Sequence, residues 1–199
     1  SYYAIMAVGV TIVIITGGID ISVGSIMALS AIMTAWVIGY MSPDAGAGKV
    51  LPIALGLPVV IGIACGVVNG CLITLLRIHP FIVTLGTMSI FRGLATVLPP
   101  QRTMPAQPNK VPLAFTEQFM RLEWFDVRVM PMVLMLIVAI AGALYLKFFV
   151  VGVQTYAIGG NEEASRLSGL RVNRVKILCY AISGMCAGIA GAVSLGYYG

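Results

Sequence analysis

Tyr156–Lys176, YAIGGNEEASRLSGLRVNRVK, is a polar, charged island between two long apolar runs, Pro131–Val151 and Ile177–Tyr198. Asn161 is placed to act as an N-cap, because its side-chain oxygen can accept from a backbone N–H that the first turn of a helix leaves unpaired. Glu162 and Glu163 follow where the positive end of the helix dipole favours carboxylates. Gly169 supplies a stop, since glycine enters the left-handed region without a Cβ penalty, and Leu170 is positioned to pack back on the last turn. The pattern predicts a capped helix of about two turns. So short a helix is marginal alone in water, and one held between two apolar spans is expected to dock on something.

The flanking runs are typical of the whole chain. Hydrophobic residues make up 59% of it and charged residues 10%, with a mean hydropathy of +1.01, whereas a soluble domain carries about a quarter charged residues. That excess of apolar surface is expected to face lipid. A spanning helix needs about 20 mostly apolar residues, and six segments come near that length: Tyr2–Thr16, Gly24–Met41, Val50–Leu76, Phe81–Leu98, Met130–Phe149 and Ile177–Tyr198. Together they predict one all-α domain over residues 1–199, a polytopic transmembrane helical bundle. Pro52 and Pro58 put the first part of the third segment in doubt as a straight helix, leaving loop or kinked helix.

The net charge of +5 is modest, and the basic residues are neither clustered in a run nor interleaved with aromatics, which argues against a nucleic-acid partner. Cys65, Cys71, Cys179 and Cys186 all fall inside apolar runs and read as small hydrophobes. No C-x-x-C spacing or histidine pair accompanies them, so neither a metal site nor a disulfide is predicted. The segment Gly46-Ala47-Gly48-Lys49 nearly matches a phosphate-binding loop. Pro43 stands where the first glycine is required, however, and Val50 where Ser or Thr would hold magnesium. No cofactor is expected, and no set of catalytic side chains marks the chain as an enzyme.

Thr16–Ser25, TGGIDISVGS, interrupts an apolar run with glycines, serines and Asp20. A carboxylate in mid-span costs about 2.5–3.5 kcal/mol on insertion scales, so Asp20 should face protein or water. Broken backbone is tolerated at membrane depth only where it lines a cavity or is buried in protein. Asn69, Thr84, Thr87, Ser89 and Arg92 are the other polar groups at depth, and Gly18, Asp20 and Ser22 with Asn69, Thr84 and Arg92 are therefore the candidates for a solute pathway. A polar turn at the membrane surface, with Asp20 capping the helix that begins near Gly24, is compatible with the same residues. Arg92 cannot be neutralised and must snorkel or find an acid, and Asp20 is the candidate partner. Glycines recur at helical spacing, Gly62, Gly66 and Gly70 in one span and Gly184, Gly188 and Gly191 in another, and read as packing seams, within one subunit or between two. Pro99–Arg128 reads as a long loop. Its first half is expected to be extended, and Phe115–Phe125 to lie along the membrane surface.

Glu163-Ala164-Ser165, three residues, then Gly169 resembles the E-A-A-x-x-x-G loop in the membrane subunits of ATP-binding-cassette importers. The wider string YAIGGNEEASRLSG, together with TGGIDISVGS at Thr16–Ser25 and HPFIVTLG at His79–Gly86, is similar to the ribose and related sugar permeases of bacteria. Two departures stand out: Ser165 replaces the second alanine of the general loop, and no proline follows in Leu170–Tyr180. The second suggests the sugar-permease branch rather than importers of the maltose type. The resemblance implies an importer permease of the type II-like arrangement in the bacterial inner membrane, carrying a ribose-like or related monosaccharide. It also implies as partners a second permease subunit, identical or not, two cytoplasmic ATPase subunits and a periplasmic or external solute-binding protein. Asn161, Glu162, Glu163, Ala164, Arg166, Leu167, Ser168 and Gly169 are then the residues expected to couple to the ATPase. Residues 156–176 lie inside on this reading and 99–128 outside, an orientation that the charge balance of the loops favours only slightly. The family's permeases are longer at both ends, so the chain is expected to be a fragment. A secondary transporter or channel without an ATPase is the alternative, since ion-coupled carriers also break their helices at mid-span.

Overall fold

The computed structural model describes residues 1–42, 44–99, 111–120, 123–124 and 127–198. The six apolar runs form α1 (Tyr2–Ile15), α2 (Val23–Ile38), α3 (Ala47–Leu76), α4 (Pro80–Val97), α6 (Val129–Phe148) and α9 (Val172–Tyr198). Between α4 and α6 stand a short α5 (Leu113–Phe115), a π-helical turn (Thr116–Met120) and a two-residue antiparallel pairing of β1 (Glu123–Trp124) with β2 (Val127–Arg128). Two further helices, α7 (Val150–Gly160) and α8 (Glu162–Leu167), fill the connection from α6 to α9. The fold is a polytopic helical bundle. α3, α4, α6 and α9 are long and apolar enough to cross a membrane. At 14 and 16 residues, α1 and α2 reach only about 21 and 24 Å at 1.5 Å per residue, short of a hydrocarbon core of about 30 Å.

α9 is the hub, with its largest interface on α3 and further faces on α1 and α2. The glycine seams explain that interface. A Cβ on Gly62 would strike the Gly184 carbonyl, one on Gly66 the Tyr180 carbonyl, and one on Gly188 the Pro58 carbonyl. Backbones pressed this close gain dispersion where lipid removes the usual hydrophobic drive between helices. These seams join helices of one chain. Gly191 faces α2 instead, against Met27 and Ala31.

Three expectations change. Of the two alternatives left for the start of the third segment, loop is removed: α3 is helical from Ala47, with Pro52 and Pro58 inside it. Prolines are tolerated in membrane helices because neighbouring elements re-satisfy the freed backbone. Residues 150–160, which carry Gly152, Gly159 and Gly160, form a helix of their own that the sequence pattern did not mark. A Cβ on Gly159 would run into the Ile15 carbonyl, so α7 is seated on the end of α1. Finally, Phe115 and Met120 do not lie along a surface. They are 0% and 1% exposed and pack with Ile38, Val50 and Leu195 as a lid on the bundle core. Burying an aromatic side chain there removes more apolar area from water than an interfacial position would. The expected extended run after Pro99 and the position of Phe125 lie outside the described residues.

The outer surface sorts the helices. α6 turns Met132, Leu136, Ile137, Ile140 and Leu144 outward, an aliphatic face suited to lipid. α4 buries a stripe of Val83, Thr84, Thr87, Phe91 and Ala95 and leaves its opposite side open.

Candidate functional site

At the knuckle between α7 and α9, each end of α8 is closed by its own hydrogen bonds. Asn161 Oδ1 accepts from the Ala164 N–H at 2.9 Å, which satisfies one of the orphan donors of the first turn. At the other end Gly169 sits at φ 83°. Its N–H donates to the Arg166 carbonyl at 3.0 Å and the Leu170 N–H to the Ser165 carbonyl at 3.1 Å, the two bonds of a Schellman motif. Leu170 itself packs toward the cluster of Val172, Val175 and Tyr180. The sequence placed both caps correctly because capping is a local property.

The side chains of α8 divide into two sets. Ser165 is buried, and its hydroxyl donates to the Asn161 carbonyl at 2.8 Å. Glu162 turns toward α9: its carboxylate accepts from Lys176 Nζ at 2.5 Å and from Arg166 Nη2 at 2.8 Å, and Arg166 also donates to Asn173 Oδ1 at 2.9 Å. The Lys176 hydrogen bond, helped by Arg166, holds the Glu162 carboxyl below the usual carboxylate range. Glu163, Ala164, Leu167 and Ser168 are exposed, Leu167 at 86%. Sequence reasoning missed the inward role of Glu162, because its partner Lys176 is 14 residues away and depends on the direction in which α9 leaves the knuckle.

The second polar break, Thr16–Ser22, is built quite differently around its carboxylate. Asp20 is 5% exposed. Its Oδ1 accepts from the Ser22 hydroxyl at 2.7 Å and the Ser22 N–H at 3.0 Å, and its Oδ2 accepts from the Ser183 hydroxyl of α9 at 2.8 Å. Asn69 Nδ2 of α3 donates to Ser22 Oγ at 2.7 Å, and Tyr180 OH donates to the Ile19 carbonyl at 3.1 Å. Gly18 is required here, since a Cβ would lie 2.8 Å from the Tyr180 hydroxyl and 2.9 Å from Val13 Cγ1. Ser183 stands 11 residues inside α9 from Val172, which is about 16 Å along the axis. The break therefore lies at depth in the bundle, its polar side chains buried in protein and not at the end of a span.

Gly18, Asp20, Ser22 and Asn69 are thus brought together, joined by Ser183 and Tyr180, which sequence reasoning had not singled out. A hydroxyl about three turns inside an apolar helix was the available signal. Thr84 stands apart, on the buried face of α4 with its hydroxyl on the Pro80 carbonyl at 2.9 Å. The expected Asp20–Arg92 pair does not form: Asp20 is satisfied by serines, and Arg92 is on the exposed side of α4. Serine hydroxyls reach the carboxylate from within the packed bundle, whereas Arg92 would have to cross the width of its own helix. Among the described residues no group of three or more His, Cys, Asp or Glu could hold a metal ion, and the four cysteines are free.

Comparison with known proteins follows the same lines. A family model described as "Branched-chain amino acid transport system / permease component" matches residues 1–199. The ribose import permease protein RbsC of Escherichia coli (strain K12) is 36% identical over 200 residues, 98% of this chain and 58% of that protein. RbsC of Bacillus subtilis (strain 168) is 39% identical over 189 residues, 95% of this chain and 55% of that protein. The D-allose transport system permease protein AlsC of Escherichia coli (strain K12) is 35% identical over 198 residues, 98% of this chain and 56% of that protein. The chain spans a little over half the length of these relatives. No solved structure matches.

Proposed function

Because the chain belongs to the family of transport-system permease components, we propose that it is part of the membrane subunit of an ATP-driven importer, in the inner membrane of a bacterium. A monosaccharide is the solute of this reading. The family description names branched-chain amino acids, but the individual relatives are permeases for ribose and D-allose. The partners are a second permease subunit, two ATPase subunits and an external solute-binding protein. ATP hydrolysis belongs to the ATPase and not to this chain.

The observation that carries the reading is the construction of α8. A lever must present a surface to its driver and be fixed to what it moves. Leu167, Ala164 and Glu163 supply the surface on the open side. Fixation comes from the caps at Asn161 and Gly169, from the Glu162–Lys176 ion pair and from Leu170 in the bundle. Movement of an ATPase cleft closed on α8 would then pass into α9, and through its glycine seam into α3, as a displacement of packed helices. In such interfaces two discrete arrangements are the usual response to a local push.

Gly169→Val tests this. A β-branched residue is strained at a positive φ, so the last turn of α8 should loosen while the spans remain inserted. In proteoliposomes carrying the complete importer, ATP hydrolysis should continue and solute uptake should fall by about tenfold or more, the equivalent of about 1.4 kcal/mol of lost coupling. Glu163→Lys should act in the same direction through the contact surface. Uptake at the parental rate in both variants would count against α8 as the coupling element.

A further inference from the structure

Beside α8, on the side of Glu162 and Arg166, lies a cavity of ≈ 690 Å³ at the α3–α4 turn. Its polar lining includes the charged or ionisable Arg77, His79, Glu162, Arg166 and Lys176, with Thr74 and Asn173. Three fixed cations thus meet one carboxylate, and that carboxylate is already shared between Arg166 and Lys176. Arg77 is exposed and makes no ion pair among the described residues. It also caps α3 at φ 55°, ψ 35°. Glycine would hold that left-handed geometry at lower cost, so the guanidinium sits there against the backbone's preference, a kind of strain that gathers at ligand sites.

On either side of this turn the chain is apolar and open, Leu75 and Leu76 before it and Phe81 and Ile82 after it. An excess of positive charge at the end of two spans, bordered by exposed aliphatic and aromatic side chains, has the chemistry of a lipid. We propose that this cavity holds the headgroup of an anionic phospholipid. Its phosphate meets Arg77, with Arg166 and Lys176 behind it, and its acyl chains run along Leu75, Leu76, Phe81 and Ile82. Basic pockets between membrane helices take anionic headgroups in this manner. Arg166 and Lys176 also hold Glu162, so the headgroup braces α8 on a side other than that of Leu167. That bracing of a coupling helix rests on the function proposed above, whereas the binding itself does not.

Arg77→Gly is the discriminating variant, because it removes the cation and relieves the backbone at once, and so should fold. The intact permease, without ATPase or solute, is exchanged into nanodiscs of phosphatidylcholine mixed with phosphatidylglycerol, and the lipid that it retains is measured by native mass spectrometry. The parental protein should retain phosphatidylglycerol in preference to phosphatidylcholine. Arg77→Gly should lower that preference about fivefold, the worth of one cation at an anionic surface, and Arg77→Lys should restore most of it. Equal retention by the parental and Arg77→Gly proteins overturns the site. So does unchanged retention with weakened binding of the ATPase, which would assign the cavity to an acidic surface of that subunit. Because neither ATPase nor uptake enters the lipid measurement, failure here leaves the transport reading to its own test.

Discussion

The chain ends two of its helices with the same backbone device and puts the two ends to opposite uses. At the close of α1, Gly17 at φ 73° donates to the Ile14 carbonyl at 2.9 Å, and Gly18 donates to the Val13 carbonyl at 3.1 Å. At the close of α8, Gly169 and Leu170 repeat the pattern on Arg166 and Ser165. Beyond the first, the polar side chains turn inward and are consumed by α3 and α9, through Asn69 and Ser183. Around the second, Glu162 secures the helix to α9 while Glu163, Ala164 and Leu167 are left open. A Schellman turn stops a helix at little cost. Whether the residues around that stop are buried or left open is decided by which neighbours can reach its polar groups.

The largest effect that separates the two should come from Asp20→Ala. Losing the carboxylate leaves the Ser22 and Ser183 hydroxyls without their acceptor in the bundle, at about 1–3 kcal/mol for each buried group left unsatisfied. Thermal unfolding in detergent should fall by several degrees, with Ser183→Ala alone costing about 1 kcal/mol. Combining the two substitutions should cost less than their sum, as expected of residues in one network. Changes at α8 should leave the same transition nearly unmoved, since its exposed residues support nothing in the bundle.

The smallest effect concerns pH. Lys176 and Arg166 depress the folded-state pKa of Glu162. Its contribution is therefore fully present above the ordinary carboxylate pKa and is lost as pH falls through the depressed value. At 40% side-chain exposure solvent screens the pair, and its worth is below about 1 kcal/mol. Hydrogen exchange at the amides of Ser165–Gly169 should speed up, relative to intrinsic rates, only on the acid side of that window. Glu162→Gln should show the faster exchange at neutral pH and remove the dependence.

How much of this was legible beforehand follows from the range over which each feature is decided. The six apolar helices could be read from composition, though only four of them are long and apolar enough to span, and the caps at Asn161 and Gly169 from local rules, because both are settled within a few residues. The lock around Asp20 could not: Ser183 is 163 residues away, and nothing in the local pattern separates it from other hydroxyls in apolar helices. Arg92 was matched to Asp20 on charge alone, and the fold buried Asp20 in the bundle while leaving Arg92 on the exposed side of α4. α7 escaped for a related reason, since its glycines weaken a helical signal that is restored by contact with the end of α1.

Cross-linking from α8 tests the central claim most directly. A cysteine at Leu167 in the assembled importer, with a short thiol-reactive photocrosslinker attached, should capture the ATPase subunit and change its yield when ATP is added. A cysteine at Ser183 carrying the same reagent should capture none. Capture of no ATPase from Leu167, or labelling of that cysteine by an impermeant reagent added only to the external face of intact cells, would contradict the account.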